Sequence, residues 1–499
     1  MDQQFQEIIQ YQLADLGQSL SYLWGEYSLL AIILVLLFLE ILRKKEHNLL
    51  FVLLAMAALA GSLLFQDFET NTLLFEGNLK KDALSSFGKF LFAGSGIICL
   101  LFLFVERRRK EVQDKGAEYP LLLLGLILGL NFLSMAQNLL YLYLSLEVVS
   151  ICSYILAAWQ DRGSKQAESA LKYIIFGATA SGIMLYGISW LYGFTGSLNP
   201  ASEGFLTALE QIPVEALILS FSLIFAGFLF KLAAFPFHFW APDIYEGIPY
   251  SLAAFFSVAP KAAAFIALYR FLELFQEATF YDYLLYILGS LALLSMTVGN
   301  LLALRQKNIK RLLAFSGIAH SGFMIMALIC LKGLGGPSLF FYLFVYTLLN
   351  LSAFILADHF SELGGSEEFI DWGQLGKHAS FAGVLLAIAM AGLIGLPPTA
   401  GFTAKWYVFV SLFEQSQGAE TSFWIILLLG AIINTLISIY YYLLPLIYLF
   451  FRKQKLEKIL PQNQRFLLLP AIISIPVLVL GTYGFDKFLN LMQEILWNS

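Results

Sequence analysis

Five lysines lie inside apolar stretches of this sequence, where a charged side chain is costly and therefore suggests a function. They are Lys89, Lys172, Lys231, Lys261 and Lys405. An ammonium group shielded from water can exchange its proton near neutral pH, which is the chemistry of a proton relay. At each position the alternatives are a lysine that extends to the membrane surface and one that serves only as a structural ion-pair partner.

Lys231 is the most unusual of the five, because no acidic residue lies within ten residues of it on either side. Pro236 follows five residues later and should end the helix, since it has no backbone N–H to donate. Inside a bilayer such a break is tolerated only where it is packed in protein or lines a wet cavity. The stretch 227–247 therefore predicts a lysine beside a broken membrane helix.

Two further charges fall near the middle of predicted spans. Glu147 lies nine residues into its span, about 14 Å deep, so its charge should depend on a partner. Lys261 directly follows Pro260, about twelve residues into a span, and has no adjacent acid. The structural alternative for Glu147 is a neutral acid that is hydrogen-bonded between helices.

A second broken span contains Lys405. Residues 380–411 are too long for one straight span, and Pro397 and Pro398 interrupt them. Lys405 should lie in the outer half of this span. A lysine that extends to the outer surface is the rival explanation.

Weaker candidates have an ordinary structural explanation. They are Lys89, Lys172, His238, His320 and Glu40. Lys172 comes four residues after Glu168, which predicts an ion pair on one helix face. The two histidines could titrate near neutral pH, but a hydrogen-bonded packing role fits them equally well.

The composition places these residues in a membrane protein. Hydrophobic residues make up 59% of the 499 residues and charged residues 13%, whereas a soluble protein is about half apolar and about a quarter charged. Long windows are almost free of charge, so we predict an all-α polytopic protein with about fourteen spans of roughly 20 residues. The spans are 27–42, 49–66, 85–105, 119–136, 138–158, 169–193, 214–239, 249–269, 281–304, 312–331, 338–358, 380–411, 422–450 and 466–484.

The spans suggest an internal symmetry. Spans four to eight and nine to thirteen form two groups of five, and each group has one proline-broken helix near a lysine. An odd number of spans inverts the second group, and inverted repeats with broken helices are a transporter design. The predicted units are 1–118 (an amphipathic segment and three peripheral spans), 119–274 and 275–451 (the two repeats) and 452–499 (the last span and tail).

Basic residues are concentrated in the odd-numbered connections, for example at 43–45, 107–110, 305–311 and 452–465. By the positive-inside rule these connections face the cytoplasm, so we expect both termini on the outer side of the membrane.

Redox and metal chemistry have no support on this chain. Cys99, Cys152 and Cys330 fall in apolar spans and form no CxxC, so we expect neither disulfides nor a metal site. The sequence contains no dinucleotide glycine fingerprint, phosphate-binding loop or iron–sulfur cysteine spacing. We expect the lipid bilayer as a partner and no nucleic acid.

Several motifs resemble the subunit N family of bacterial NADH:quinone oxidoreductase, respiratory complex I, one of its three antiporter-like membrane subunits. The similarity covers roughly residues 119–450, whereas the first 118 residues match mainly in hydropathy. The matching stretches are 168–197, 227–247, 257–265, 306–322 and 395–405.

The resemblance implies roles for the buried charges. In that family the acid of the fifth span pairs with the lysine of the broken seventh span, and lysines in spans eight and twelve continue a proton path outward. The matching positions are Glu147, Lys231, Lys261 and Lys405. Lys172 and His238 also fall on family positions linked to the path, and His320 is the histidine of span ten.

The implied function is one proton-pumping module of complex I in the bacterial cytoplasmic membrane. Its partners would be the other membrane subunits and, indirectly, the peripheral redox arm, which would hold NADH, FMN, iron–sulfur clusters and quinone. One rival is a subunit of a multi-subunit sodium/proton antiporter, which shares the broken helices and lysines. Another is a structural subunit that does not pump.

Two features depart from the family pattern. The segment before the first span is rather long. In addition, Phe315, Ser316 and Gly317 stand where relatives often have Tyr-Ser-Ser, shortly before His320. Neither departure affects Glu147, Lys231, Lys261 or Lys405.

Overall fold

The computed structural model describes residues 3–42, 48–110, 118–159, 164–202, 204–331, 333–418, 421–452, 467–481, 486–488 and 490–492. Nearly all of these residues are helical, as the composition predicted. Several basic residues that set the predicted orientation, at 43–45, 115, 162 and 453–465, lie outside the described residues.

The N-terminal part contains four helices and one small hairpin. They are α1 (Gln3–Ser21), α2 (Trp24–Ile41), α3 (Asn48–Leu63), β1 (Thr72–Leu74), β2 (Leu79–Lys81) and α4 (Ala83–Lys110). The antiparallel hairpin is an addition to the predicted all-helical fold, and its three-residue strands are too short to leave an alternating pattern in the sequence. Helix α1 is anchored to it, since Ser19 Oγ accepts a hydrogen bond from Phe75 N at 2.8 Å.

The middle part contains the first predicted repeat. Its helices are α5 (Glu118–Met135), α6 (Leu139–Ala158), α7 (Ser164–Thr195), α8 (Phe205–Glu210), α9 (Val214–Lys231), α10 (Trp240–Gly247) and α11 (Tyr250–Glu273). The span predicted at 214–239 is interrupted after Lys231, near the proline that was expected to break it. The short helix α8 was not predicted.

The last part contains the second predicted repeat and the C-terminal helix. Its helices are α12 (Tyr281–Ala303), α13 (Ile309–Leu328), α14 (Gly335–Gly364), α15 (Leu375–His378), α16 (Ser380–Ile394), α17 (Ala400–Gln415), α18 (Thr421–Phe451) and α19 (Leu468–Val479), and a 3-10 turn covers Phe369–Trp372. The span predicted at 380–411 is divided into α16 and α17 at Pro397 and Pro398.

The helix lengths agree with the predicted spans. Within the described ranges, eleven helices are long and apolar enough to cross a membrane, and three shorter apolar helices accompany them. Each predicted span overlaps one of these helices. The span at 214–239 contains α9 and the break after it, and the span at 380–411 contains α16 and α17.

Helix α11 forms the centre of the molecule. It is buried along its whole length and packs against α4, α5 and α14. A helix that is apolar on every side can be buried among other helices in this way. Because α11 carries Lys261, this placement removes that side chain from lipid and from bulk water.

Two buried ion pairs hold the N-terminal part: one joins α4 to α2, and the other joins this part to α11. Lys89 Nζ lies 2.7 Å from Glu26 Oε1. Asp82 pairs with Arg270 in the last turn of α11. Glu40, one of the weaker candidates within a predicted span, is only partly buried, whereas Glu26, which was not predicted, is 3% exposed.

Candidate functional site

The first helix break lies between the end of α9 at Lys231 and the start of α10 at Trp240. Side chains from other helices bond the backbone groups that the break releases. Phe235 N donates to Ser295 Oγ at 2.9 Å, and Ser321 Oγ donates to Leu232 O at 2.6 Å. The break is thus packed in protein, as an interruption at membrane depth requires.

Lys231 and Glu147 face the same region of the first repeat but do not touch. Among the described residues, Lys231 Nζ and Glu147 Oε1 are both buried and have no hydrogen-bond partner. The carboxylate of Glu147 is nevertheless close enough to act electrostatically on Lys231. The direct ion pair implied by the family resemblance is therefore absent from this arrangement of the described residues.

A tyrosine hydroxyl lies in the same region. Tyr154 OH is buried and also has no partner among the described residues. It fits beside α7 because Gly177 has no side chain: a Cβ there would lie 1.7 Å from this oxygen. Buried polar atoms of this kind are usually bonded to protein or to ordered water.

Lys261 is held firmly by the second repeat. Its Nζ donates to Gly317 O at 2.7 Å and to Ser321 Oγ at 3.0 Å, both on α13. Since Ser321 also bonds Leu232 O in the first break, this hydroxyl connects the Lys261 side chain to the helix that ends in Lys231.

Lys405 occupies the second break. Its Nζ donates to Leu393 O at 3.1 Å and Ile394 O at 2.8 Å, the last carbonyls of α16. It also lies 4.8 Å from the centre of the Phe323 ring. With 3% exposure, the side chain points into the protein and does not extend to the surface.

His320 lies between the lysines and has both ring nitrogens occupied. Nδ1 is 2.7 Å from Tyr342 OH and Nε2 is 2.9 Å from Tyr442 OH. A cavity next to it is lined by His320, Tyr342, Tyr346 and Lys405. Its size is about that of one water molecule.

Lys172 belongs to a charged cluster at one end of the helices. Its Nζ lies 2.8 Å from Glu168 Oε1, the predicted ion pair, and 3.1 Å from Asp243 Oδ2. Arg311 in turn lies 2.8 Å from Asp243 and 2.8 Å from Glu246. Burial raises the pKa of the Asp243 carboxyl, but hydrogen bonds from Arg311 and Lys172 hold that pKa below its usual value. The cluster ties α10 to α7 and α13.

His238 is buried in the first break between the rings of Phe235 and Phe239. Neither of its nitrogens bonds to another described residue. The structure therefore places His238 beside the path but does not connect it to Lys231, Lys261 or Lys405.

Several uncharged residues of the site were not singled out from the sequence. They are Ser295, Ser321, Tyr342, Tyr346 and Tyr442. Ser321 had a weak signal, because it follows His320 in a matching motif. The others are ordinary residues of apolar helices and carry no local signal. Within the described part of the chain, no group of three His, Cys, Asp or Glu side chains is placed to hold a metal ion.

Comparisons with known proteins agree with this architecture. Residues 136–435 match the family described as "NADH:quinone oxidoreductase/Mrp antiporter, TM". A protein of Sorangium cellulosum named NADH-quinone oxidoreductase subunit N 2 is 37% identical over 494 residues, covering 93% of this chain and 95% of its own length.

Solved structures share the fold. A chain of respiratory complex I from Thermus thermophilus with bound aureothin has a TM-score of 0.76 and 28% identity, covering 93% of this chain and 98% of its own. A chain of the Mrp complex from Dietzia sp. has a TM-score of 0.78 at 18% identity, covering 95% of this chain and 52% of its own. At 18% identity, the similarity to the Mrp chain concerns the fold alone.

Proposed function

Because this chain belongs to the NADH:quinone oxidoreductase/Mrp antiporter family of membrane subunits, we propose that it is subunit N of a bacterial NADH:quinone oxidoreductase and moves protons across the membrane. The observation that carries the proposal is a line of buried groups between the two helix breaks. Lys231 lies at the first break, Ser321 bonds both Leu232 O of that break and Lys261 Nζ, and Lys405 lines a cavity with His320 at the second break.

Quinone reduction elsewhere in the complex drives changes of charge along this line. At about 4 Å and an effective dielectric constant of about 20, two unit charges attract by about 4 kcal/mol. Approach of Glu147 and Lys231 would favour the charged form of both, and separation would favour transfer of the lysine proton toward Lys261. Since the two side chains face one region without touching, the arrangement corresponds to the separated state.

Lys405 is the release group of the proposed path. Its ammonium lies at the C-terminal end of α16, where backbone carbonyls and the helix dipole favour a positive charge. A proton that arrives there is held until the second break changes its geometry. Lys172 and His238 act around the first break, and His320 acts beside the cavity.

The orientation follows from the distribution of basic residues. We place the ends that carry Lys172 and Arg311 in the cytoplasm and both termini outside, in the bacterial inner membrane. The repeats would be 119–274 and 275–451, with 1–118 and 452–499 peripheral to them. Neighbouring membrane subunits are the direct partners. NADH, FMN, iron–sulfur clusters and quinone belong to other parts of the complex.

Co-purification separates this proposal from the sodium/proton antiporter. Affinity capture of the tagged chain from detergent-solubilised membranes should bring iron–sulfur subunits and quinone-dependent NADH oxidation with it. Capture of other antiporter subunits without redox activity would contradict the assignment.

Proton pumping separates the proposal from a purely structural subunit. In inverted membrane vesicles with equal amounts of assembled complex, Lys231→Met and Lys261→Met should lower NADH-driven acidification. Lys377→Met, at an exposed lysine, is the matched control and should leave acidification unchanged. Unchanged pumping in both buried-lysine variants would indicate a structural role.

A further inference from the structure

We propose that Tyr346 carries protons between Lys261 and Lys405, so that the path between these lysines runs through its hydroxyl group. This proposal rests on the proposed function and assigns a proton-transfer role to a residue other than Glu147, Lys231, Lys261 and Lys405.

The first observation is the close approach of two polar groups at Gly317 on α13. A Cβ on Gly317 would lie 3.0 Å from Tyr346 OH and 3.2 Å from Lys261 Nζ. The two polar groups therefore flank the same point from different helices. Because Gly317 has no side chain, no α13 side chain at this position separates them.

The second observation is the way the tyrosine is held. Asn350, one turn along α14, donates its two amide hydrogens to Tyr346 OH at 3.0 Å and to Ser257 Oγ at 2.7 Å. Since Asn350 occupies one lone pair of the tyrosine oxygen, the hydroxyl hydrogen must be donated elsewhere. Ser257 lies on α11, one turn before Lys261, so Asn350 fixes Tyr346 relative to the helix of that lysine.

The third observation is the cavity beside Lys405. Tyr346 lines the cavity that also contains Lys405. His320 lines it too, but both of its nitrogens already bond to tyrosine hydroxyls. The Tyr346 hydroxyl is bonded only on its Asn350 side among the described hydrogen bonds, so it is the group better placed to exchange a proton with water in the cavity.

The transfer leaves the tyrosine unchanged. The Lys261 ammonium gives one proton to water beside Gly317, and this water gives one to the Tyr346 oxygen. The tyrosine passes its own hydrogen to water in the cavity, and Lys405 takes the proton. Lys261 becomes a neutral amine, Lys405 becomes an ammonium, and the hydroxyl is neutral before and after.

A pair of substitutions at Gly317 tests the first half of this route. Gly317→Ala places a methyl group against Lys261 Nζ and Tyr346 OH and would displace water from between them, while its backbone carbonyl still accepts from Lys261. Gly317→Ser carries a hydroxyl on the same carbon, which can bond either group. We expect the alanine variant to lower the initial rate of vesicle acidification by about tenfold or more, and the serine variant to retain most of it.

Tyr346→Phe tests the second half and should lower the rate as much as Gly317→Ala. The matched controls are Gly182→Ala, where a Cβ meets nothing within 4 Å, and Tyr281→Phe, whose buried hydroxyl has no partner among the described residues. Both controls should pump normally. Assembly is checked by native electrophoresis and by NADH oxidation with an artificial electron acceptor.

Equal rates in the Gly317→Ala and Gly317→Ser variants, whether both normal or both low, would overturn the proposal, as would normal pumping in Tyr346→Phe. Lys231→Met is measured in the same preparation. If it abolishes pumping while the Tyr346 and Gly317 variants are normal, this route is wrong but the proposed function stands. If Lys231→Met also pumps normally, the proposed function itself fails.

Discussion

Lys405 donates a hydrogen bond of 2.8 Å to the carbonyl of Ile394, so the lysine of one half of a broken span binds the end of the other half. The ammonium therefore has two separable properties, since it bonds carbonyls that the break releases and it can lose a proton. Arginine retains the first property but not the second.

Lys405→Arg should accordingly leave the complex assembled and thermally stable but lower proton pumping. Lys405→Met should lower pumping and also destabilise the second break, by about 1–3 kcal/mol for buried carbonyls that lose their donor. Both variants would be compared by thermal inactivation of the purified complex and by acidification of vesicles. Full pumping in the arginine variant would make Lys405 a fixed charge.

Glu147 and Lys231 should behave as one switch although they do not touch here. We expect Glu147→Gln and Lys231→Met each to reduce pumping greatly, and the double variant to be little worse than either. Non-additivity of this kind is produced by a shared interaction. Pumping and quinone-linked NADH oxidation would be measured in membranes with matched amounts of complex. Modest single losses that simply add would show that the two residues act independently.

The buried Asp82–Arg270 pair should be important for stability and not for pumping. Asp82→Asn leaves the Arg270 guanidinium without its counter-charge and should destabilise the chain by about 3–5 kcal/mol. Thermal denaturation of the solubilised complex measures this, and Glu277→Gln, on an exposed residue, is the control. Pumping per assembled complex should stay normal in Asp82→Asn.

The Asp82–Arg270 pair should make the thermal stability of the complex depend on pH. Burial raises the pKa of the Asp82 carboxyl, but Arg270 outweighs this effect and holds the pKa below its usual value. A carboxyl with a lowered pKa contributes stability that is complete above its unfolded-state pKa of about 3.9 and is lost as the pH falls below it. The thermal stability of the wild-type complex should therefore fall at acidic pH by more than that of Asp82→Asn. If thermal stability falls with pH by the same amount in the wild type and in Asp82→Asn, this prediction is contradicted.

The proposed orientation can be checked with two exposed positions. In a background without Cys99, Cys152 and Cys330, a membrane-impermeant thiol reagent added to intact cells should label Gln211→Cys. It should label Lys377→Cys only after the cells are opened, because that residue lies in a connection assigned to the cytoplasm. The reverse pattern would overturn the orientation.

Features that depend on local sequence could be predicted, and those that depend on helix register could not. The spans, the breaks near Pro236 and Pro397, and the Glu168–Lys172 pair arise within one or two helices. Asp82 and Arg270 are 188 residues apart, so no sequence window contains both.

Dependence on helix register also limited the prediction of the site residues. Buried lysines can be recognised because charge is rare in apolar spans. Ser321 had only a weak signal and Tyr346 had none, because serine and tyrosine are common in membrane helices. Their importance arises only from the helices that face them.

The Ser321 hydroxyl has a single hydrogen but two carbonyl acceptors, Leu232 O at 2.6 Å and Gly317 O at 3.0 Å. It bonds one of them well only by giving up the other. When that hydrogen turns toward Gly317, which also accepts from Lys261, the carbonyl in the first break loses its partner. The bonding of the first break is thereby linked to that of the second repeat through one hydroxyl hydrogen.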